Sequence, residues 1–155
     1  MALEKVNFPK DLKNLKREEL VELAADIRKA LLNRLTNYPK GGHVGPNFGV
    51  VEMTIALHYV FNSPIDKIVF DVSHQAYPHK ILTGRKDGFL YEDKFKTVNG
   101  YTDQDESEHD FFNIGHTSTS ISLASGLAIA RNLKGDSENI IAIIGDGSLS
   151  GGEAF

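Results

Sequence analysis

The sequence predicts an α/β fold, a mainly parallel sheet flanked by helices, and three observations carry that prediction. Two short β-branched runs, Lys67–Asp71 (KIVFD) and Asn139–Ile144 (NIIAII), have the composition of buried strands. Segments with helical spacing of apolar residues stand before and between them. Each strand also runs straight into a polar turn, and in sheets of this kind ligands sit beyond the carboxyl ends of the strands. With 155 residues, 41% of them apolar and 25% charged, the chain has the balance of one globular domain, but it is too short for a complete large enzyme.

Along the chain, Leu12, Leu15, Leu20, Leu23, Ile27, Leu31 and Leu35 recur at three to five residues among Lys, Arg and Glu. That pattern predicts one surface helix with an apolar stripe. It should end before Pro39, since proline disfavours helical geometry in the residue before it, and Gly41-Gly42 then opens a loop carrying His43. Residues 50–61 are apolar almost all round, which predicts a buried helix ending at Asn62-Ser63-Pro64. The first strand follows and delivers Ser73, His74 and Gln75 into a turn. From Thr83 to Asp110 the chain is polar and punctuated by glycine, with an acidic cluster at Asp103, Asp105, Glu106, Glu108 and Asp110. This is too long for a simple connection, so it reads as a functional or a mobile loop. Residues 118–133, small on one side and Leu or Ile on the other, predict a helix suited to packing on a sheet. The second strand then leads directly into Gly145-Asp146-Gly147.

Composition removes several function classes. Asp and Glu number 21 against 17 Lys and Arg, a formal net charge of −4, so no broad surface for nucleic acid or anionic lipid is expected. Without cysteine there is no disulfide, no thiolate nucleophile and no cysteine-type zinc site. The N-terminus lacks the apolar stretch of a secretory signal, and no window has the apolar length to span a bilayer, so a soluble cytoplasmic protein is expected.

Gly145-Asp146-Gly147-Ser148 is the central chemical signal. Glycines allow close approach of the backbone to an anion, and an aspartate at a strand end can hold a divalent metal that bridges phosphates. A dinucleotide fingerprint would need glycine at Ser150, and a P-loop would need lysine where Glu153 follows Gly152. Taken alone, the turn reads equally well as the plain end of a strand.

Three further motifs, taken with that turn, change the weighing. Gly41-Gly42-His43, the run Asp71-Val72-Ser73-His74-Gln75-Ala76-Tyr77-Pro78-His79-Lys80, and Gly115-His116-Thr117-Ser118-Thr119-Ser120 stand before it in order. The set resembles the successive motifs of the 1-deoxy-D-xylulose-5-phosphate synthases, transketolase-like enzymes that use thiamine diphosphate. The likeness extends from Leu3-Glu4-Lys5-Val6-Asn7 through Ala56-Leu57-His58-Tyr59-Val60-Phe61, Leu82-Thr83-Gly84-Arg85 and Glu106-Ser107-Glu108 to the last residue.

The resemblance implies a thiamine diphosphate-binding fold, incomplete within these residues. Residues 1–155 would be the N-terminal part of the diphosphate-binding domain. The pyrimidine-binding domain, the C-terminal domain and the asparagine that closes the thiamine diphosphate motif would lie outside them. Carried over by position, Asp146 would be a magnesium ligand, Gly147 and Ser148 would contact the diphosphate, and Gly115, His116 and Thr117 would line the cofactor. His43 and His74 would be catalytic, with His74 also against the cofactor; imidazole titrates near neutral pH and can orient substrate or move protons there. Without that context a loop histidine is more often merely solvated. His58 reads as a core histidine, His79 as a residue behind the site, and His109 as part of the acidic loop. Ser73 stands where the family commonly has glycine, Thr117 where it has serine, and Glu153 where an apolar residue is common.

The implied reaction is the decarboxylative condensation of pyruvate with D-glyceraldehyde 3-phosphate to 1-deoxy-D-xylulose 5-phosphate and carbon dioxide. It uses thiamine diphosphate and Mg2+, serves isoprenoid and thiamine biosynthesis, and runs in a homodimer. A transketolase or another thiamine enzyme shares the Gly-Asp-Gly turn, but the runs His74–Lys80 and Leu82–Arg85 are more typical of the first family. The competing reading of a different class is a noncatalytic fragment or split subunit.

Overall fold

Apolar spacing alone does not say where the first helix begins; proline and the first available caps do. The computed structural model describes residues 1–155 and falls into two units, Met1–Asn62 with Gln75–Gly100, and Ser63–His74 with Tyr101–Phe155. In the first unit a short helix, α1 (Pro9–Leu12), opens on its proline, and Asp11 accepts hydrogen bonds from the backbone N–H of Asn7 (2.9 Å) and Phe8 (3.0 Å). The long helix α2 spans Arg17–Asn37, and Glu19 accepts the N–H of Lys16 at 2.9 Å. The expected helix from Leu12 is therefore two elements. Leu12 and Leu15 still reach the same core as Leu23, Ile27 and Leu31. The helix ends at Tyr38, extended as expected before Pro39.

Two further helices follow, α3 (Val44–Gly49) and α4 (Val51–Val60), with Val50 between them outside helical geometry. The loop expected around His43 is shorter than predicted, since His43 immediately precedes α3. The buried helix expected at 50–61 is only half buried. Val51, Thr54, Ile55 and His58 face inward, whereas Met53, Tyr59 and Val60 are exposed. The outer faces of α2 and α4 form an apolar groove of about 520 Å³ that includes Leu20, Val21, Ile55 and Tyr59.

The segment after Ala76 corrects the expected polar loop from Thr83. It folds as α5 (Tyr77–Lys80), a helical turn over Ile81–Arg85, α6 (Asp87–Leu90) and a 3-10 turn over Glu92–Thr97. Phe89, Phe95 and Val98 are buried in this unit. Arg34, 3% exposed on α2, anchors the segment: its guanidinium donates to Gly88 O (2.6 Å) and Val98 O (2.8 Å) and lies 4.8 Å from the Phe89 ring centre. A buried charge is tolerated only with partners of this kind. Gly84 sits at φ 89°, and a Cβ there would come 2.9 Å from the Phe8 ring. His58 is a core histidine as expected, fully buried and hydrogen-bonded to His79 at 2.9 Å.

The second unit holds the sheet. Strands β1 (Lys67–Phe70) and β2 (Ile140–Ile143) pair in parallel, Lys67 opposite Ile140 and Phe70 opposite Ile143. Helix α7 (Ser120–Lys134) connects them on the chain and ends at Gly135, left-handed at φ 78°. Val69, Ile114 and Ala124 are the buried centre, with Leu123, Leu127 and Ile140 against them. The acidic stretch is built into turns: Asp110 accepts the Asp103 N–H at 2.9 Å, and Thr102 Oγ1 donates to Phe112 O at 2.9 Å. The parallel pairing matches the predicted class. The protein is otherwise mostly helical, with a sheet of two strands. No helix is long and apolar enough to cross a membrane.

Candidate functional site

The chain leaving β1 makes a tight reversal. Ser73 N–H donates to Asp71 O, and Val72 and Ser73 both take left-handed backbone, φ 56° and 69°. For a β-branched valine that geometry is strained and persists only where the surroundings impose it. Two side chains do so. The Ser73 hydroxyl, fully buried, donates to Ile114 O at 3.0 Å and accepts the Thr102 N–H at 2.9 Å. The Asp71 carboxylate, 1% exposed, accepts the backbone N–H groups of Ser118 (2.9 Å) and Ser120 (3.0 Å). Half-buried His74 follows directly on this fixed turn.

Asp71 thereby caps α7 from another element, satisfying the Ser120 amide that the helix itself leaves without a partner, and also pins Ser118 just before the N-cap Thr119. Burial alone would raise its pKa. The hydrogen bonds from Ser120 and Ser118, with the Ser148 hydroxyl, outweigh burial and hold the carboxyl below its usual range. Gly115, His116 and Thr117 lie just before the cap and are exposed. Ser118, at φ 71°, donates its hydroxyl to Ser148 O at 2.6 Å and so ties that turn to the one after β2. Gly151 has no room for a side chain, because a Cβ there would fall onto Ser118 Oγ and 2.8 Å from Ser118 Cβ.

The turn after β2 is a run of short-range bonds, with Ser148 N–H to Gly145 O at 3.0 Å and Ser150 N–H to Gly147 O at 3.3 Å. Asp146 and Gly147 are exposed and Ser148 is half-buried. Of the residues picked out from sequence, His74, Gly115, His116, Thr117, Asp146, Gly147 and Ser148 all belong to this unit. His43 belongs to the other, exposed at the start of α3. Sequence reasoning missed Asp71, Ser73 and Ser118 as the residues that hold these turns. The signal available was an aspartate at a strand end and a serine-rich helix start, the pairing typical of caps.

The donor set fits a magnesium-bound diphosphate better than a bare metal. No group of three or more His, Asp or Glu side chains gathers to hold an ion. Asp146 is instead one exposed carboxylate between glycines, and a Cβ placed on Gly115, Gly145 or Gly147 would meet nothing within 4 Å. Magnesium commonly takes one or two carboxylates and completes its shell with phosphate oxygens and water. Open glycine backbone beside a lone carboxylate meets that requirement.

A family profile described as 1-deoxy-D-xylulose-5-phosphate synthase matches residues 3–155. The chain is 54% identical over 155 residues to the 1-deoxy-D-xylulose-5-phosphate synthase of Geobacillus sp. (strain WCH70), covering all of this chain and 24% of that one. It is also 54% identical to the same-named protein of Shouchella clausii, again over 24% of its length. To 1-deoxy-D-xylulose-5-phosphate synthase 1, chloroplastic, of Oryza sativa it is 48% identical over 153 residues, 99% of this chain and 21% of that one. The chain spans about a quarter of the length of the curated relatives it matches.

Proposed function

The chain belongs to the 1-deoxy-D-xylulose-5-phosphate synthase family and is homologous to its N-terminal part, and from that premise we propose that residues 1–155 form the opening of a thiamine diphosphate-binding domain of the transketolase type. The pyrimidine-binding and C-terminal domains of a family-length enzyme lie outside these residues. The whole enzyme condenses pyruvate with D-glyceraldehyde 3-phosphate, losing carbon dioxide, to give 1-deoxy-D-xylulose 5-phosphate for isoprenoid and thiamine biosynthesis. It works as a cytoplasmic homodimer, and this chain alone is inactive.

When bound, thiamine diphosphate supplies the electron sink for decarboxylation. Asp146 holds Mg2+, and the backbone of Gly147 with Ser148 meets the diphosphate. Gly115, His116 and Thr117 line the cofactor. His74, on its fixed turn, orients substrate and exchanges protons, and His43 does the same from its own segment. Asp71 never meets the reacting atoms; it holds the 115–120 turn in place.

The observation that carries this reading is the Ser118 hydroxyl on Ser148 O, at 2.6 Å, which joins the Gly115-His116-Thr117 turn to the Gly145-Asp146-Gly147 turn. Two turns that the family assigns to one cofactor are thus one hydrogen-bonded piece. The test is Mg2+-dependent binding of thiamine diphosphate, and turnover of pyruvate with glyceraldehyde phosphate, in a family-length polypeptide carrying these residues. Asp146→Asn is expected to lower cofactor affinity at least about 100-fold, the loss of a charged metal ligand. Unchanged occupancy in that variant would overturn the assignment.

A further inference from the structure

We propose that Asn47 is a positioning residue for His43, its side-chain amide clamping the Gly41-Gly42-His43 segment to the start of α5. The proposal rests on the role given to His43 above, and every contact it uses lies within the first unit.

Asn47 is a polar residue with 0% exposure. Its Nδ2 donates to His43 O at 2.7 Å, and its Oδ1 accepts the Tyr77 N–H at 2.9 Å. A backbone carbonyl only accepts and a backbone N–H only donates, so the chemistry of the two partners fixes which way the amide faces. One planar group therefore bridges the carbonyl of His43 and the first amide of α5. The Tyr77 ring closes the other side of the segment. A Cβ on Gly42 would lie 3.0 Å from the Tyr77 hydroxyl and 2.5 Å from Leu35 Cδ2, so any side chain there would push one of these neighbours aside. Tyr77 is itself held, 4% exposed, with its ring centre 5.6 Å from that of Phe89.

The outcome is a histidine with an exposed side chain on a backbone gripped from two directions. A group that must meet substrate in one geometry needs that combination of an open head and a locked base. An apolar residue at 47 would fill the space but leave a part-buried carbonyl and a buried N–H without this partner, and leucine would normally be preferred in a fully enclosed site. The bridging chemistry accounts for the asparagine.

Site-resolved amide hydrogen exchange on the labelled 155-residue chain tests the clamp without any assay of turnover. In the unmodified chain the Tyr77 N–H and one Asn47 side-chain proton should be protected. Asn47→Asp keeps the acceptor for Tyr77 but puts an oxygen against His43 O. Tyr77 should then stay protected while the amides of residues 42–44 exchange about tenfold faster. Asn47→Leu removes both bonds, and Tyr77 should accelerate about tenfold as well. The Lys80 N–H, bonded to Ala76 O at 2.9 Å, is the control. If it accelerates as much as Tyr77, the residue is merely structural and the proposal fails. It fails too if Asn47→Asp leaves residues 42–44 unchanged. Should neither variant fold, an unprotected Asn47 side chain in the unmodified chain overturns it. Failure of the reading for His43 looks different: turnover of a family-length polypeptide indifferent to His43→Gln, with the clamp intact in the spectra of the 155-residue chain.

Discussion

Asp71 is a single carboxylate that decides the shape of two turns, and its ionisation makes that dependence measurable. Its folded pKa lies below the ordinary 3.8, because the hydrogen bonds from the Ser120 and Ser118 amides outweigh a burial effect of opposite sign. A group whose pKa is depressed on folding stabilises the native state fully above its unfolded value and loses that contribution as pH falls through the folded one. The acid limb of stability, followed by urea unfolding between pH 5 and about pH 2, should therefore flatten in Asp71→Asn, which would also be less stable at pH 7. A variant with the same acid slope as the parent would contradict the assignment, since Asp11 and Glu52, also depressed, remain in both proteins. At this scale the sequence did not mark the residues that hold the turns. Ser73 shows why. As a departure from a common glycine it looked like a small change, yet its buried hydroxyl makes two hydrogen bonds at φ 69°, a geometry that no spacing pattern encodes.

Strands and helices were legible where one physical signal dominated. The β-branched runs became β1 and β2 to within a residue, and the small-residue helix became α7 ending on a left-handed glycine. The stretch from Thr83 to Val98 was not legible, because it is held by long-range contacts such as Arg34 reaching Gly88 O and Val98 O, 54 and 64 residues away in sequence. A buried arginine on an amphipathic helix looks like any other charge in the pattern. The joint between the 115–118 turn and the turn after β2 is a similar long-range feature, and it depends on Gly151. That residue has φ −77°, which alanine adopts freely, so strain of the backbone is not the issue. The added methyl would meet Ser118 Oγ and break its bond to Ser148 O. Gly151→Ala is expected to cost about 1–3 kcal/mol in chemical denaturation, the range for overpacking a fitted contact. Adding Ser118→Gly removes the clashing atoms and suits φ 71°, so the double variant should recover part of that loss. Additive losses in the double variant would mean the two residues do not meet.

For the molecule as a whole, what matters is how little of the proposed cofactor site these residues can enclose. Gly115, His116, Thr117, Asp146 and Gly147 are all exposed, and α7 buries only Ser120 and Ala124. On β2, Ala142 is exposed and Ile140 and Ile141 are half-covered. Electrostatic contacts in such a setting are weakened by the high dielectric of water, roughly 1 kcal/mol for unit charges at 4 Å against several in a closed site. Magnesium, with one carboxylate from the protein, would keep most of its water shell. The 155-residue polypeptide by itself should therefore bind magnesium thiamine diphosphate with a Kd of about 1 mM or weaker, or show no binding at all, in titration calorimetry at physiological salt. Binding at about 1 μM, dependent on Mg2+ and lost in Asp146→Asn, would mean that these residues close a complete diphosphate site unaided. The division of labour proposed between this chain and the rest of a family-length enzyme would then be wrong.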